Sequence, residues 1–501
     1  MESLPNKYTM HSMTISNNEG VQEDIKQIFT RFSLTESIYA NYIGAMITVV
    51  DGINLFNRIG FTGQEYIRIH FSGVEGITGE VPFEESIDVT LRVFKVSKVQ
   101  QDSTGTTQTY NLFCISPQKF PARRNRLSKA YSGSLSDITA KILENELNIS
   151  QEPEKVADGR FMSVREQSEP DNIHVVIPNW TIEHTLGWLC GQMTKETGTY
   201  RDNFYLYQTC RDGYRLNTIE DMINIKYLGG EVVFGEPQSG TGNPETVYDD
   251  DGTGGQSRAG PGMDIYDRVK YNLFDTVDNT NKGVYGGRRI TINPTNKIYQ
   301  EIDYSILGQE EWETTGEGEW KGGTHISKSP PFRLQREHYR HPADGAMGEE
   351  DLGQAMTVES WDPIYSYNQS AIDLGYEPTF AINGVNDNTI NVHKDTALHN
   401  FRRNAVKELL DASSMNMVIS GRTNINCGIV INVDLKQPIP GGDKLVDEIT
   451  HNGEMLITEL TFQGTPAELV CQLTCVKDGY EVNWDGYEMP PTVTKSNDGG
   501  L

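Results

Sequence analysis

The sequence contains no CxxC pair, and its six cysteines, Cys114, Cys190, Cys210, Cys427, Cys471 and Cys475, are scattered through 501 residues. That removes the usual spacing of a redox or metal site. Cys471 and Cys475 are four apart and share one strand face, too far along it to bond comfortably, so free and mostly buried thiols are expected. No apolar run reaches about 18 residues, the length a membrane helix needs. The opening MESLPNKYTMHSM has neither an apolar stretch nor a cleavage pattern, so folding in the cytoplasm without membrane insertion is expected. Basic residues are scarce as well: 43 against 70 acidic ones, a formal net charge of −27. A diffuse electrostatic grip on nucleic acid is thereby excluded, because phosphates would be repelled.

Catalytic spacing is equally thin. There is no GxxxxGK[ST] to cradle a triphosphate, no GxSxG elbow and no HExxH. His338 and His341 read as an exposed polar pair. The run Asp249, Asp250, Asp251 is a weak calcium-loop candidate, since Val247 stands where an EF-hand would place its first Asp. Glu359 and Asp362 flank Trp361 as a glycosidase pair would, but 70 acidic residues produce such pairs by chance. The sequence points to no catalytic residue and no cofactor.

What is present is turn and strand. With 48 glycines and 23 tyrosines, the chain reads as α+β, predominantly antiparallel β. Strands are expected in AMITVVD, EYIRIHF, LRVFKV and TYNLFC. Helices are expected over Leu135 to Leu147, capped by Ser134 or Ser136, over Thr181 to Met193, and after Asp395 or Thr396, where apolar residues fall at helical spacing through Leu410. FYLYQTCRDGYRLNTIEDMI predicts a hairpin turning at Asp212-Gly213. The stretches 237–262 and 316–332 are dominated by loop residues.

The two ends repeat an order. AMITVVDG, Gly63 with EYIRIHF, LRVFKV and TYNLFC are matched by SMNMVISG, Gly428 with IVINVDL, MLITEL and ELVCQL. Gly63 to Gly428 and Leu91 to Leu456 both span 365 positions, which predicts two similar β modules with Gly63 and Gly428 as structural glycines. Two modules per chain suit a symmetric ring, because three subunits then present six similar surfaces. The apolar strand residues Leu91, Val93, Phe94, Val96, Met455, Leu456, Ile457 and Leu460 are the interface candidates, either between modules or within their own.

The segment SLTESIYANYIGAMITVVDGINLFNRIGFTGQEYIRIHF, together with VVIPNWTIEHTLGWLC, NKGVYGGRRITIN and HNGEMLITELTFQ, resembles the baseplate hub proteins of contractile-tailed bacteriophages. These are relatives of the N-terminal part of type VI secretion spike proteins. The resemblance implies two tube-type β-barrel or sandwich domains and a loop-rich middle region. The expected division is 1–120 first tube-type domain; 121–202 helix-containing middle domain; 203–228 start of the second tube-type domain; 229–395 loop-rich middle with insertions; 396–480 main part of the second tube-type domain; 481–501 tail. It further implies a structural virion protein of the tail baseplate, assembled in the host cytoplasm. This would be a homotrimeric, pseudo-hexameric hub between the six-fold tail tube protein and the three-fold central spike protein, contacting other baseplate proteins. DNA would meet it only in passage. Two other readings compete. One is a secreted calcium-dependent β-rich binding module, with Asp249 to Asp251 holding the ion and WDPIYSYNQ a glycan. The other is a cell-wall hydrolase, for which no acid and base can be named.

Overall fold

The computed structural model describes residues 8–73, 86–101, 107–150, 162–164, 168, 173–195, 202–226, 232–233, 265–272, 284, 286–293, 298–305, 325–326, 355–360, 376–378, 381–382, 385–386, 391–393, 399–434, 436–438, 445–447 and 452–479. Asp249 to Asp251, His338, His341, Asp395, Thr396 and the tail after Gly479 lie outside them.

Strict alternation of apolar and polar residues lets a strand bury one face, and the N-terminal third uses it repeatedly. The strands are β1 (Tyr8–Ser16), β2 (Gln22–Asp24), β3 (Phe29–Ser37), β4 (Gly44–Asp51), β5 (Tyr66–Gly73), β6 (Ile87–Gln101) and β7 (Gln108–Ile115). They lie side by side as β3-β4-β7-β6-β5-β1-β2, each neighbour antiparallel. A short helix, α1 (Leu55–Ile59), follows β4, and the Asp51 carboxylate accepts from the Leu55 and Phe56 amides at 2.9 and 3.0 Å.

Helices then build a separate core. They are α2 (Lys119–Arg124), α3 (Leu135–Leu147) and α4 (Ile182–Gln192). Ser134 caps α3 by accepting from Asp137 N at 3.1 Å, and Thr181 caps α4 from His184 N at 3.3 Å. The hairpin β8 (Phe204–Thr209) and β9 (Gly213–Thr218) turns where Asp212-Gly213 predicts, with Gly213 at φ +78°. Its faces are divided. Phe204, Leu206, Tyr214 and Leu216 pack into the helical core, whereas Tyr205, Tyr207 and Cys210 pack into the main sheet core. A capped turn, α5 (Ile219–Ile223), follows.

The C-terminal part returns to the large sheet through β10 (Ile265–Asn272), α6 (His399–Ala412), β11 (Ser414–Ser420), β12 (Val430–Asp434), β13 (Gly453–Gly464) and β14 (Leu469–Val476). Their order is β10-β11-β14-β13-β12, again antiparallel throughout. The first five-strand run, β3-β4-β7-β6-β5, has the same order and sense.

The registers fix how the two runs correspond. In β6 the pair Val93↔Cys114 is followed by Lys95↔Phe113, leaving Phe94 as a bulge. In β13 the pair Ile457↔Cys475 is followed by Glu459↔Thr474, leaving Thr458 as a bulge. Tyr66↔Arg92 in the first run answers Val430↔Leu456 in the second. These pairs place the central strands 364 positions apart, so the spacing of 365 read from the glycines is corrected by one. Leu91 corresponds to Met455, not to Leu456. The difference matters because one residue turns every side chain to the other face. Through Cys114 and Cys475, Ala45, Ile47 and Val49 fall on Met415, Met417 and Ile419, all buried.

Candidate assembly interface

The two runs are one sheet. β3 pairs antiparallel with β13 from Ser37↔Glu459 to Phe32↔Gly464, producing a 13-stranded sheet across a sequence gap of more than four hundred residues. Their cores merge too. The Phe32 and Phe71 rings are 5.3 Å apart, and Phe71 meets Phe462 edge-on at 5.9 Å.

Each position in this junction has a reason. The hydroxyls of Thr35 and Thr461 face each other at 3.0 Å, and Arg31 donates to Gln463 at 2.8 Å, so the exposed face is held by polar cross-strand pairs. On the buried face the Phe32 ring occupies the place where a Cβ on Gly464 would stand, so any other residue there must displace the ring. At the end of the junction Ile38 N donates to Thr458 O at 3.0 Å, covering the β13 bulge, and Tyr8 Oη donates to Thr465 O at 2.6 Å.

Glu36 lies within the junction and is fully buried. Its two carboxylate oxygens accept from Cys210 N and Cys427 N, each at 2.6 Å. One side chain thus ties β3 to the β8–β9 turn and to the loop before β12. Burial pushes its pKa up from 4.5 to about 7, the two amide donors oppose the rise, and Asp212 nearby adds to it. The thiols beside it are inert, since burial drives both Cys210 and Cys427 well above the ordinary range.

The two structural glycines occupy comparable bends. Gly63 has φ +81° and Gly428 φ +77°, each just ahead of its strand. In the segment Thr62-Gly63-Gln64-Glu65, the Glu65 carboxylate accepts from Thr62 N at 2.5 Å, Thr62 Oγ1 at 2.9 Å and Gly63 N at 3.0 Å. Burial works to raise the Glu65 pKa, but these donors prevail and hold it below the usual value. A Cβ on Gly428 would run into the Tyr207 hydroxyl.

The eight apolar strand residues separate into groups. Leu91, Val93, Met455, Leu456 and Ile457 are buried in the core that the two runs share. Val96 is half-buried against that core. Leu460 is buried and stands opposite Glu36, inside the junction. Phe94 is 49 % exposed. It borders a groove of about 410 Å³ with Ile115, Lys119, Phe120, Arg123 and Arg124, and Arg92 lies 4.1 Å over the Phe120 ring. Among the described residues no group of three or more His, Cys, Asp and Glu side chains could hold a metal ion, and no helix is long and apolar enough to cross a membrane.

No protein-family model matches the chain, and no curated protein matches it. Solved structures similar to it include three tail and secretion proteins. The 43 kDa tail protein of prophage MuSo2 from Shewanella oneidensis is 9 % identical over 94 % of this chain and 99 % of that one, with a TM-score of 0.49. A tail protein from Neisseria meningitidis MC58 is 8 % identical over 95 % and 98 %, with a TM-score of 0.49. An E. coli component of the type VI secretion system is 9 % identical over 95 % and 79 %, with a TM-score of 0.35.

Proposed function

We infer that this chain is a structural component of a phage-type tail, acting as a baseplate hub in which three copies form a pseudo-hexameric ring between a six-fold tail tube and a three-fold spike. The observation that carries this reading is the recurrence of one five-strand order at both ends of the chain, with one bulge at the same place in each, inside one continuous sheet. A chain built this way presents two similar modules at once, and three chains present six. In this reading 1–120 is the first tube-type domain, 203–228 with 396–480 the second, and 121–202, which contains α3 and α4, the first part of the middle domain. The function is geometric, so the working parts are strand edges and the junction that fixes the angle between modules. The excess of 27 negative charges would let DNA pass through the ring without adhering.

The native mass of the full chain, measured alone and with candidate tube and spike partners, tests the reading. A trimer, or a complex containing three copies, is the expected result. A stable monomer that joins neither partner overturns it.

A further inference from the structure

Among the described residues, the internal repeat leaves two strand edges without the partners that their counterparts have. β3 is paired on both sides, by β4 and by β13, whereas β10, its counterpart, is paired only by β11 among the described residues. The far half of β13 is paired on both sides, by β14 and by β3. Its counterpart in β6, Lys95 to Gln101, is paired only by β7 among the described residues. One open edge thus corresponds to β3 and the other to the stretch of β13 that receives β3.

The bulges point the same way. Thr458 is 2 % exposed because the chain leaving the junction covers it, with Ile38 N donating to its carbonyl at 3.0 Å. Phe94, the equivalent bulge residue, is 49 % exposed beside an apolar groove floored by Ile115 and Phe120. A large apolar side chain is left half exposed where the other copy of the repeat is covered. Long open edges also invite pairing with another chain, which proteins normally blunt.

We propose that β10 of one copy pairs antiparallel with Lys95 to Gln101 of β6 in a second copy, in the register that β3 and β13 use within one chain. This deepens the ring reading and rests on it, by naming the surfaces that close the ring. The register follows from the correspondences already fixed. Thr35 and Leu34 correspond to Asn272 and Tyr271 through their shared places opposite β4 and β11. Thr461 corresponds to Ser97 through the shared bulge. Thr35↔Thr461 therefore predicts Asn272 opposite Ser97 of the second copy. The contact is head-to-tail, so successive copies continue one sheet and close as a ring when the rotation permits.

Disulfide trapping in the full chain tests this directly. The variant N272C/S97C places its thiols where the Thr35 and Thr461 hydroxyls lie 3.0 Å apart, so oxidation should yield a covalent trimer on a non-reducing gel. The variant N272C/V96C puts one thiol on the opposite face and should give roughly a tenfold smaller interchain product. T35C/T461C is the positive control, closing within one chain. The native cysteines are all buried and should not compete. Phe94→Asp should reduce the trimer fraction while leaving the monomer's circular dichroism and the T35C/T461C bond unchanged. If the native mass is trimeric, T35C/T461C closes, and N272C/S97C gives no more interchain product than N272C/V96C, the edge pairing is overturned and the ring reading survives. If the chain is monomeric with every partner tried and no variant links between chains, both fail.

Discussion

Replacing Glu36 with Gln makes the module junction report on its own charge. In the folded chain burial holds the carboxyl near pH 7, against an ordinary 4.5, so the native state retains a proton that the unfolded chain releases over that interval. The sign follows: the carboxyl's contribution to stability is fully present below pH 4.5, is lost as pH rises to about 7, and is constant above that. The interval between those two values, at about 1.4 kcal/mol per pH unit, is on the order of 3 kcal/mol. Gln keeps the size and removes the titration. Its amide nitrogen must face one of the two amide donors from Cys210 and Cys427, which costs stability equally at every pH. The measurable quantity is therefore the difference in unfolding midpoint between Glu36→Gln and wild type, followed from pH 4 to pH 8.5. It should move in favour of the Gln variant by a few degrees between pH 4.5 and 7 and then level off. A difference that stays flat across that window, or one that turns against Gln as pH rises, refutes the claim that a buried carboxyl in the junction is charged at a cost.

Glu65→Gln should show the opposite profile. The native carboxylate is stabilised by the Thr62 and Gly63 donors, so its contribution is present above its unfolded pKa and lost as pH falls. The variant should be most impaired at neutral pH and approach wild type in acid, as read by the same melts. Gly464→Val should force the Phe32 ring from its place at a cost of about 1–3 kcal/mol, read as faster hydrogen exchange in β3 and β13. Gly44→Ala, where a Cβ meets open space, is the matched control and should leave exchange in those strands unchanged.

Strand order was legible because turn chemistry and alternation survive even where residue identity does not. AMITVVDG and SMNMVISG both became strands at corresponding places, and Gly63 and Gly428 both took positive φ. The count was off by one because the glycines do not align: three residues lead from Gly63 to Tyr66 but two from Gly428 to Val430, its counterpart, a difference that nothing in the sequence marks. The junction was not legible. Nothing local in FTRFSLTES says that its second neighbour is a strand near the other end of the chain. Yet Glu36 did carry a signal. Phe32, Leu34, Glu36 and Ile38 share one phase of the strand, and a carboxylate in core phase must have buried donors. The Glu36 donors come from Cys210 and Cys427, and only the folded chain brings those amides together.

Divergence between the two modules explains how a ring of similar edges could keep its pairings apart. The inner junction contains a lock, Phe32 against Gly464, in which any Cβ at position 464 must displace the ring. At the corresponding place in β6, opposite Gln108 as Gly464 is opposite Leu469, the chain has Gln101. If β3 reached for the β6 edge of another copy, its phenyl ring would meet a residue with a side chain where it now meets a glycine, and the pairing would be penalised by overpacking. Glu36 adds a second penalty, because away from Cys210 and Cys427 its buried carboxyl would lose both amide donors. Specificity of this kind is a difference between affinities, made by charging the wrong pairing rather than by strengthening the right one. Two identical modules would let either edge accept either strand, and the copies could then link into open chains. A large ring facing a glycine, and a carboxylate facing two amides, confine β3 to its own chain and leave β10 as the edge offered to the next.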